Sequence, residues 1–175
     1  MRKRTIQGLG LLALAGAALL VPLPLPPARI HNAVQIERAP ADVFNYVTTP
    51  ANWPRWHPSS LAVQGDAGHP LALGEQVTED FLVAGHRGRV TWTVAERAAP
   101  TAWSIDGKIS GGGAGRVSYR LAASGAGTAF EREFVYQRPN LLFWLADEAS
   151  LRGQVEAESA EALRRLKAVL EQPTF

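Results

Sequence analysis

The sequence contains no cysteine and carries almost no net charge outside its N-terminus, and each absence excludes a class of function. Without cysteine there can be no disulfide, no thiolate metal site and no cysteine nucleophile. Three of the 18 Lys and Arg residues stand at positions 2–4, and the remaining 15 are balanced by 16 Asp and Glu. We therefore expect no nucleic-acid-binding surface, since that function requires a strongly basic face.

Several catalytic and cofactor motifs are also missing. There is no Gly-x-Ser-x-Gly segment of the kind that positions a hydrolase serine. The glycine-rich stretch at 110–115 lacks the lysine of a phosphate-binding loop and precedes a strand pattern, so it is interpreted as a hairpin turn. The four histidines, at positions 31, 57, 69 and 86, do not have metal-ligand spacing. We expect neither a metal nor an organic cofactor.

The N-terminus has the order typical of an export signal or signal-anchor. The basic residues at 2–4 precede an uncharged, largely apolar run at 6–21, which is followed by a proline-rich stretch. As a helix, this run would be about 24 Å long, which is shorter than the roughly 30 Å hydrocarbon core of a bilayer. Residues 1–29 are predicted to be a signal-anchor or signal peptide with an extended spacer, and residues 30–175 to be the folded domain.

The leader also carries a prediction about location. Small-x-small cleavage patterns fall inside the apolar run rather than after it, which favours an uncleaved membrane anchor. The basic residues would stay in the cytoplasm and the domain would lie outside it, in the cell envelope or periplasm. Cleavage would instead give a secreted protein. The alternative is that the run forms a buried N-terminal helix of a soluble protein.

Most of the remaining chain shows the alternation of apolar and polar residues that is typical of strands. One strand is expected over 30–38, followed by a short helix with Val43, Phe44 and Val47 on its apolar face. The prolines of the segment "PANWPRWHPSS" limit a second helix to one or two turns. Six more strands follow, joined by short glycine-rich turns, and this arrangement predicts an antiparallel meander.

From position 140 to about 171 the period changes to that of one long amphipathic helix. Such a helix needs a long apolar partner, and a curved antiparallel sheet wrapped around it supplies one. The sequence therefore predicts a two-layer α+β fold in which a curved sheet surrounds the C-terminal helix, with two short helices after the first strand.

Three segments carry a resemblance to a known family. They are "VQIERAPADVFNYVTTPANWPRW", "GRVTWTVAERAAPTAWSI" and "ALRRLKAVLE". In these segments the chain resembles the START-like (SRPBCC) superfamily, also called the polyketide cyclase/dehydrase and lipid transport group, whose fold is the helix-grip. The resemblance implies a cavity between the sheet, the long helix and the short helices. It also implies a hydrophobic small-molecule ligand such as a lipid, polyketide or quinone.

Candidate ligand-binding residues are polar or aromatic side chains placed where the family has its cavity. By analogy, Trp53 and Trp56 would lie at the cavity rim, although they could instead be plain core. Glu79 and Arg132 occupy the apolar phase of their strands, so they would pair with each other, with water or with a ligand if they point inward. The complete predicted set is Trp53, Trp56, His57, Glu79, Phe81, Tyr119, Arg132 and Phe134.

Two other functions remain open at this stage. The chain could be a cofactor-independent cyclase or dehydratase in which these polar groups position and protonate a carbonyl. It could also be a module that binds a protein partner, whose nature is unknown, through its long helix and open sheet edge. Trp92 and Trp103, which lie on predicted strands, are expected to be structural.

Overall fold

The computed structural model describes residue 16 and residues 18–172. Within them, seven strands precede a C-terminal helical region, and two short helices follow the first strand. The strands are β1 (Ala28–Ile36), β2 (Ser60–Gln64), β3 (Gln76–Val83), β4 (His86–Ala98), β5 (Ala102–Ile109), β6 (Ala114–Ser124) and β7 (Gly127–Tyr136). The helices are α1 (Pro40–Thr48), α2 (Trp53–Trp56), α3 (Leu141–Ala146) and α4 (Arg152–Leu170).

All seven strands form one antiparallel sheet with the order β1-β7-β6-β5-β4-β3-β2. Consecutive strands from β2 to β7 are neighbours, as short turns require, and β1 joins the sheet beside β7. Irregularities in register in β2 and β4 increase the local twist. The sheet curls into a half-barrel around the C-terminal helix, which confirms the predicted helix-grip α+β fold.

The periodicity predicted one long helix in the C-terminal region, and this prediction is wrong, because the region is divided into two helices. A π-helical segment, Asp147–Leu151, separates α3 from α4. One face of α4 is buried against the sheet, and it consists of Val155, Ser159, Ala162, Leu163 and Leu166. The extra residue per turn in the π-segment allows α3 and α4 to present different faces to the sheet.

The short helices cover one end of the half-barrel. Helix α1 begins at Pro40, where a proline costs no hydrogen bond, and it buries Val43, Phe44 and Val47. A single 3₁₀ turn, Pro50–Asn52, leads into the four residues of α2. The prolines thus limit this segment to the one or two turns predicted from the sequence.

The proline-rich stretch before β1, which was predicted to be an extended spacer, makes contacts with the domain. Pro22 forms an isolated β-bridge with Asn140, and the Leu23 amide donates to the Pro139 carbonyl over 3.1 Å. Arg138 Nε donates to the Pro26 carbonyl over 2.8 Å. The N-terminal segment therefore leaves the domain beside the start of α3.

The predicted membrane anchor falls largely on residues 1–15 and 17, outside the described residues. Within the described part of the chain, none of the helices has the length and apolar character needed to cross a bilayer.

A close contact between β4 and β5 fixes one wall of the interior. Trp92 and Gly107 are partners across the two strands, and the Trp92 ring lies directly over Gly107. A methyl group at Gly107 would lie only 2.5 Å from this ring. The ring cannot move freely, because its Nε1 donates to Glu79 over 2.7 Å.

We predict that Gly107→Ala lowers the free energy of unfolding by about 1–3 kcal/mol, the usual range for an overpacked interior. Urea denaturation, monitored by tryptophan fluorescence, measures this change. Gly153→Ala is the matched control, since nothing lies near a methyl group at this helical position. It should leave the protein equally stable or more stable. Equal stability of Gly107→Ala and the parent would contradict the contact.

Candidate functional site

Arg132 lies at the centre of a polar cluster inside the half-barrel. It stands between Asn32 and Tyr119 in the strand register and is only 5% exposed. Its Nη1 donates to Ser159 Oγ on α4 over 2.8 Å, and Ser159 Oγ donates to Asn32 Oδ1 over 2.6 Å. Arg132 Nε has no hydrogen-bond partner. A buried guanidinium therefore connects the sheet to the helix and keeps one donor unpaired.

Glu79 is the buried acid of this cluster. Its Oε2 accepts a hydrogen bond from Trp92 Nε1, and the Ser60 hydroxyl lies close by without completing one. Burial raises the pKa of the Glu79 carboxyl, while Ser60, Trp92 and the positive charge of Arg132 each act in the opposite direction. The environment thus favours the protonated acid more than water does.

Glu79 and Arg132 both point inward, as their strand phase predicted. They do not form an ion pair with each other: Glu79 accepts from Trp92, and Arg132 donates to Ser159. Arg132 instead lies over the Phe134 ring, with 5.7 Å between the guanidinium carbon and the ring centroid. The two side chains therefore do not pair directly. Arg132 keeps a free Nε donor, and Glu79 keeps its Oε1 atom for another hydrogen bond.

His57 follows α2 and aims one ring nitrogen into the interior. The Ser59 backbone amide donates to Nδ1 over 3.3 Å, which leaves the proton on Nε2. Nε2 is inaccessible to solvent and has no partner. Burial, followed by the positive charges of Arg132 and Arg165, holds the pKa of His57 well below its usual value. The imidazole is therefore neutral near pH 7 and presents an N–H donor.

Tyr119 packs among aromatic rings next to Arg132. Its ring stacks on Trp103 at 5.2 Å, and it contacts Phe130 at 5.1 Å and Trp56 at 6.5 Å between centroids. Burial raises the pKa of the Tyr119 hydroxyl to about 12, although Arg132 partly opposes the shift. The phenol therefore stays protonated and can donate a hydrogen bond.

The interior holds an excess of polar atoms without partners. Within the described residues, the buried side-chain atoms without a hydrogen bond are Tyr46 Oη, Trp56 Nε1, His57 Nε2, Ser60 Oγ, Trp103 Nε1, Ser104 Oγ and Arg132 Nε. Every one of these groups can donate, and four carry only N–H donors. Four of these residues are close neighbours, because Trp56 contacts His57 and Tyr119, Trp103 stacks on Tyr119, and Tyr119 is the register partner of Arg132. Since buried polar groups are normally paired, the free donors of these four residues indicate a region suited to an acceptor.

One carboxylate of α4 holds two loops over this region. Glu158 Oε2 accepts from Ser59 Oγ over 2.7 Å, and Oε1 accepts from the Ala84 amide over 2.8 Å. Ala84 has a positive φ of 47°, which is unusual for a residue with a side chain. Glu158 thus connects the loop after α2 with the β3–β4 turn.

Trp53 and Trp56, which were predicted to lie at the rim of a cavity, are the first and last residues of α2. Both are buried in the main hydrophobic cluster, so neither belongs to an open surface. Trp53 Nε1 donates to the Val47 carbonyl over 2.9 Å, whereas Trp56 Nε1 is unpaired. A ligand-binding role for either residue stays a prediction, and Trp56 has the free donor that such a role requires.

The two predicted phenylalanines are partly buried at the margin of the cluster. Phe81 packs over Gly88, its partner on β4, and it also lines an open groove of about 650 Å³ near the β2 edge. Phe134 contacts both Arg132 and Tyr136. Arg132 connects four of the other predicted residues. Its charge acts on His57, Glu79 and Tyr119, and its guanidinium lies over Phe134. Phe81 lies toward the open edge of the sheet.

Sequence reasoning missed three polar members of the cluster, namely Asn32, Trp92 and Ser159. Asn32 occupies the apolar phase of β1, which is the same signal that identified Glu79 and Arg132. Ser159 lies on the buried face of α4, four residues after Val155. Trp92 was expected to be structural, and its ring is indeed buried, but its N–H also binds Glu79.

We predict that Glu79→Gln makes thermal stability less sensitive to pH. An acid whose pKa is raised on folding loses its stabilising contribution as pH rises above its ordinary value of 4.5. The variant should match the parent below pH 4 and exceed it in Tm at pH 8, where ~1 kcal/mol corresponds to about 2–4 °C. Calorimetry across this pH range tests it, with Glu96→Gln on the exposed side of β4 as control. A Tm difference that does not change with pH would contradict the assignment.

Comparison with known proteins agrees with this fold. A family model described as polyketide cyclase/dehydrase and lipid transport matches residues 27–171. Protein CV1439 from Chromobacterium violaceum superposes with a TM-score of 0.67 at 15% identity, and the match covers 84% of this chain and 100% of that one. The comparison with curated proteins finds no match.

Two further solved structures have the same architecture. DynU16, a protein of the dynemicin biosynthetic locus, gives a TM-score of 0.62 at 16% identity over 84% of this chain and 48% of its own. The Aha1 dimer from Colwellia psychrerythraea gives 0.55 at 16% identity over 82% and 96%. At such identities the likeness concerns the fold, and fold alone does not fix function. The family model spans nearly the whole described domain, however, and the chain therefore belongs to the polyketide cyclase/dehydrase and lipid transport family.

Proposed function

We propose that this protein binds a hydrophobic small molecule inside the half-barrel and recognises it through a hydrogen-bond acceptor, such as a carbonyl or carboxylate. The observation that carries the proposal is that Trp56, His57, Trp103 and Arg132, which are connected through contacts with Tyr119 and with one another, each keep a buried N–H donor without a partner. These residues lie on α2, directly after it, on β5 and on β7. We propose that one acceptor group pairs with more than one of these donors. Lipids, polyketides and quinones all combine an apolar body with such a group.

The energetics favour an acceptor over a purely apolar ligand. An unpaired buried donor costs about 1–3 kcal/mol, and a hydrogen bond to a charged group contributes about 1.5–3 kcal/mol. The surrounding aromatic and aliphatic side chains supply apolar contact, at roughly 25 cal/mol per Å² buried. The rings therefore provide affinity, and Arg132 and His57 select for the acceptor.

Entry of a ligand requires the α2 segment to move. Trp56, Trp103 and Tyr119 are closely packed in this structure. The loop after α2 is held to α4 by the hydrogen bond from Ser59 Oγ to Glu158. We propose that this loop opens and that the Trp56–Tyr119 contact separates when the ligand enters.

We further propose that the domain works while tethered to a membrane outside the cytoplasm. Support comes from the basic-then-apolar order of the N-terminal sequence. A tether would place the binding site beside a store of apolar ligands, which suits transport or sequestration.

A second candidate is a cofactor-independent cyclase or dehydratase. Two titratable groups with shifted pKa values, Glu79 and His57, both lie within range of the charge of Arg132, and such groups are enriched at catalytic sites. Arg132 and Tyr119 could polarise a substrate carbonyl while Glu79 transfers a proton. For an enzyme, Glu79→Gln would abolish turnover and retain binding, whereas a carrier would show no turnover at all.

We predict that the protein binds lauric acid more tightly than dodecylamine, because the acid offers acceptors to Arg132 and the amine repels it. Arg132→Met should weaken lauric acid binding roughly 10- to 100-fold, the equivalent of one charged hydrogen bond. Tryptophan fluorescence titration of the full chain in detergent measures both affinities.

Arg116→Met is the matched control, since Arg116 is exposed and paired with Asp106 on the outer face. It should leave affinity unchanged. Arg132→Lys keeps the charge and should show intermediate affinity, which separates loss of recognition from loss of fold. Equal affinity of the parent for acid and amine, or equal weakening by the two methionine variants, would overturn the proposal.

A further inference from the structure

Most of the exposed large apolar side chains gather at one place on the domain. In the described residues, five of the eight such side chains lie on the segment before β1 or on α3. We call this the leucine surface, and it consists of Leu20, Val21, Leu23, Leu142 and Leu145. Scattered exposed leucines are normal, but a cluster of them marks an interaction site.

The backbone contacts bring the two parts of this surface together. The bridge between Pro22 and Asn140 and the hydrogen bond from Leu23 to Pro139 join the N-terminal segment to the start of α3. The Asn140 side chain caps α3 by accepting from the Phe143 amide over 2.8 Å. Leu142 and Leu145 are three residues apart, so they share one face of this helix, and each is 46% exposed.

The composition of both segments suits lipid rather than water. Neither 18–28 nor 141–146 contains a charged residue. The first acid after α3, Asp147, is buried and accepts from Tyr136 over 2.5 Å, while Glu148 is paired with Arg138. Lys108 is an exposed cation beside this surface, and Arg29, at the same end of the sheet, is exposed but pairs with Glu133 over 3.3 Å. Such an arrangement places apolar groups in the acyl region and cations near phosphates.

From this geometry we propose that the leucine surface docks on the bilayer, so that α3 lies in the membrane interface beside the point where the N-terminal segment enters the lipid. The inference rests on the proposed membrane tether, and it adds an orientation. The apolar sequence at 6–21 leads directly to Pro22, so the chain itself delivers this face to the membrane. The tether is therefore short, and it holds the domain in one orientation relative to the bilayer.

The absence of cysteine makes a direct test available. Leu145→Cys in the full chain is labelled with bimane, and the protein is reconstituted with vesicles of phosphatidylethanolamine and phosphatidylglycerol. Some vesicles carry a nitroxide on the acyl chain, which quenches only a label in contact with lipid. Ala126→Cys is the matched control, because it lies in the exposed β6–β7 turn at the far end of β7, roughly 30 Å from Tyr136 at 3.3 Å per residue.

The proposal expects a blue-shifted emission and strong nitroxide quenching at position 145, with neither effect at position 126. Unshifted emission at 145 in vesicle-bound protein would show an exposed surface and overturn the docking alone. A blue shift without quenching would show that protein, such as a second copy, covers α3, and it would also overturn the proposal. Chain that stays in the supernatant would overturn the tether together with the docking. Circular dichroism of both labelled variants verifies that they are folded.

Discussion

The structure depends on one buried charge, the guanidinium of Arg132. A charge inside an apolar half-barrel is costly, and the protein offsets part of that cost with a chain of hydrogen bonds from Arg132 to Ser159 and from Ser159 to Asn32. These hydrogen bonds join strands β7 and β1 of the sheet to helix α4, around which the sheet curls. Burial is the main cause that lowers the pKa of His57 and raises that of Glu79, and the charge of Arg132 adds to the first shift and opposes the second.

The rest of the interior buries this cluster but leaves several of its hydrogen-bond donors without partners. Trp92 lies over Gly107 and donates its N–H to Glu79. Trp56 and Trp103 fill the space beside Tyr119 and leave their own N–H groups free. An interior built only for stability would pair these donors or replace them with apolar groups. Their retention is the physical basis for proposing a ligand that brings an acceptor.

Much of this architecture could be predicted from the sequence, because the period of apolar residues is a local property. All seven strands, both short helices and the inward direction of Glu79 and Arg132 followed from it. The π-segment at Asp147 did not, because one inserted residue rotates the apolar stripe by about 100°, and the six residues of α3 are too few to reveal that rotation in the sequence. The burial of Trp53 and Trp56, and the contacts of Pro22 with Asn140, depend on tertiary packing between distant segments. The same is true of Ser159, whose role appears only when α4 is placed against Arg132.

The central claim is that the donors around Arg132 recognise an apolar molecule with an acceptor group. Native mass spectrometry of the full-length protein, released gently from the membranes of the cells that make it, tests this most directly. The account predicts an added mass that fragments as a carbonyl- or carboxylate-containing apolar molecule, and that is absent from an Arg132→Met sample prepared in the same way. The mass of the bare chain in both samples, with folded protein in each, would contradict it.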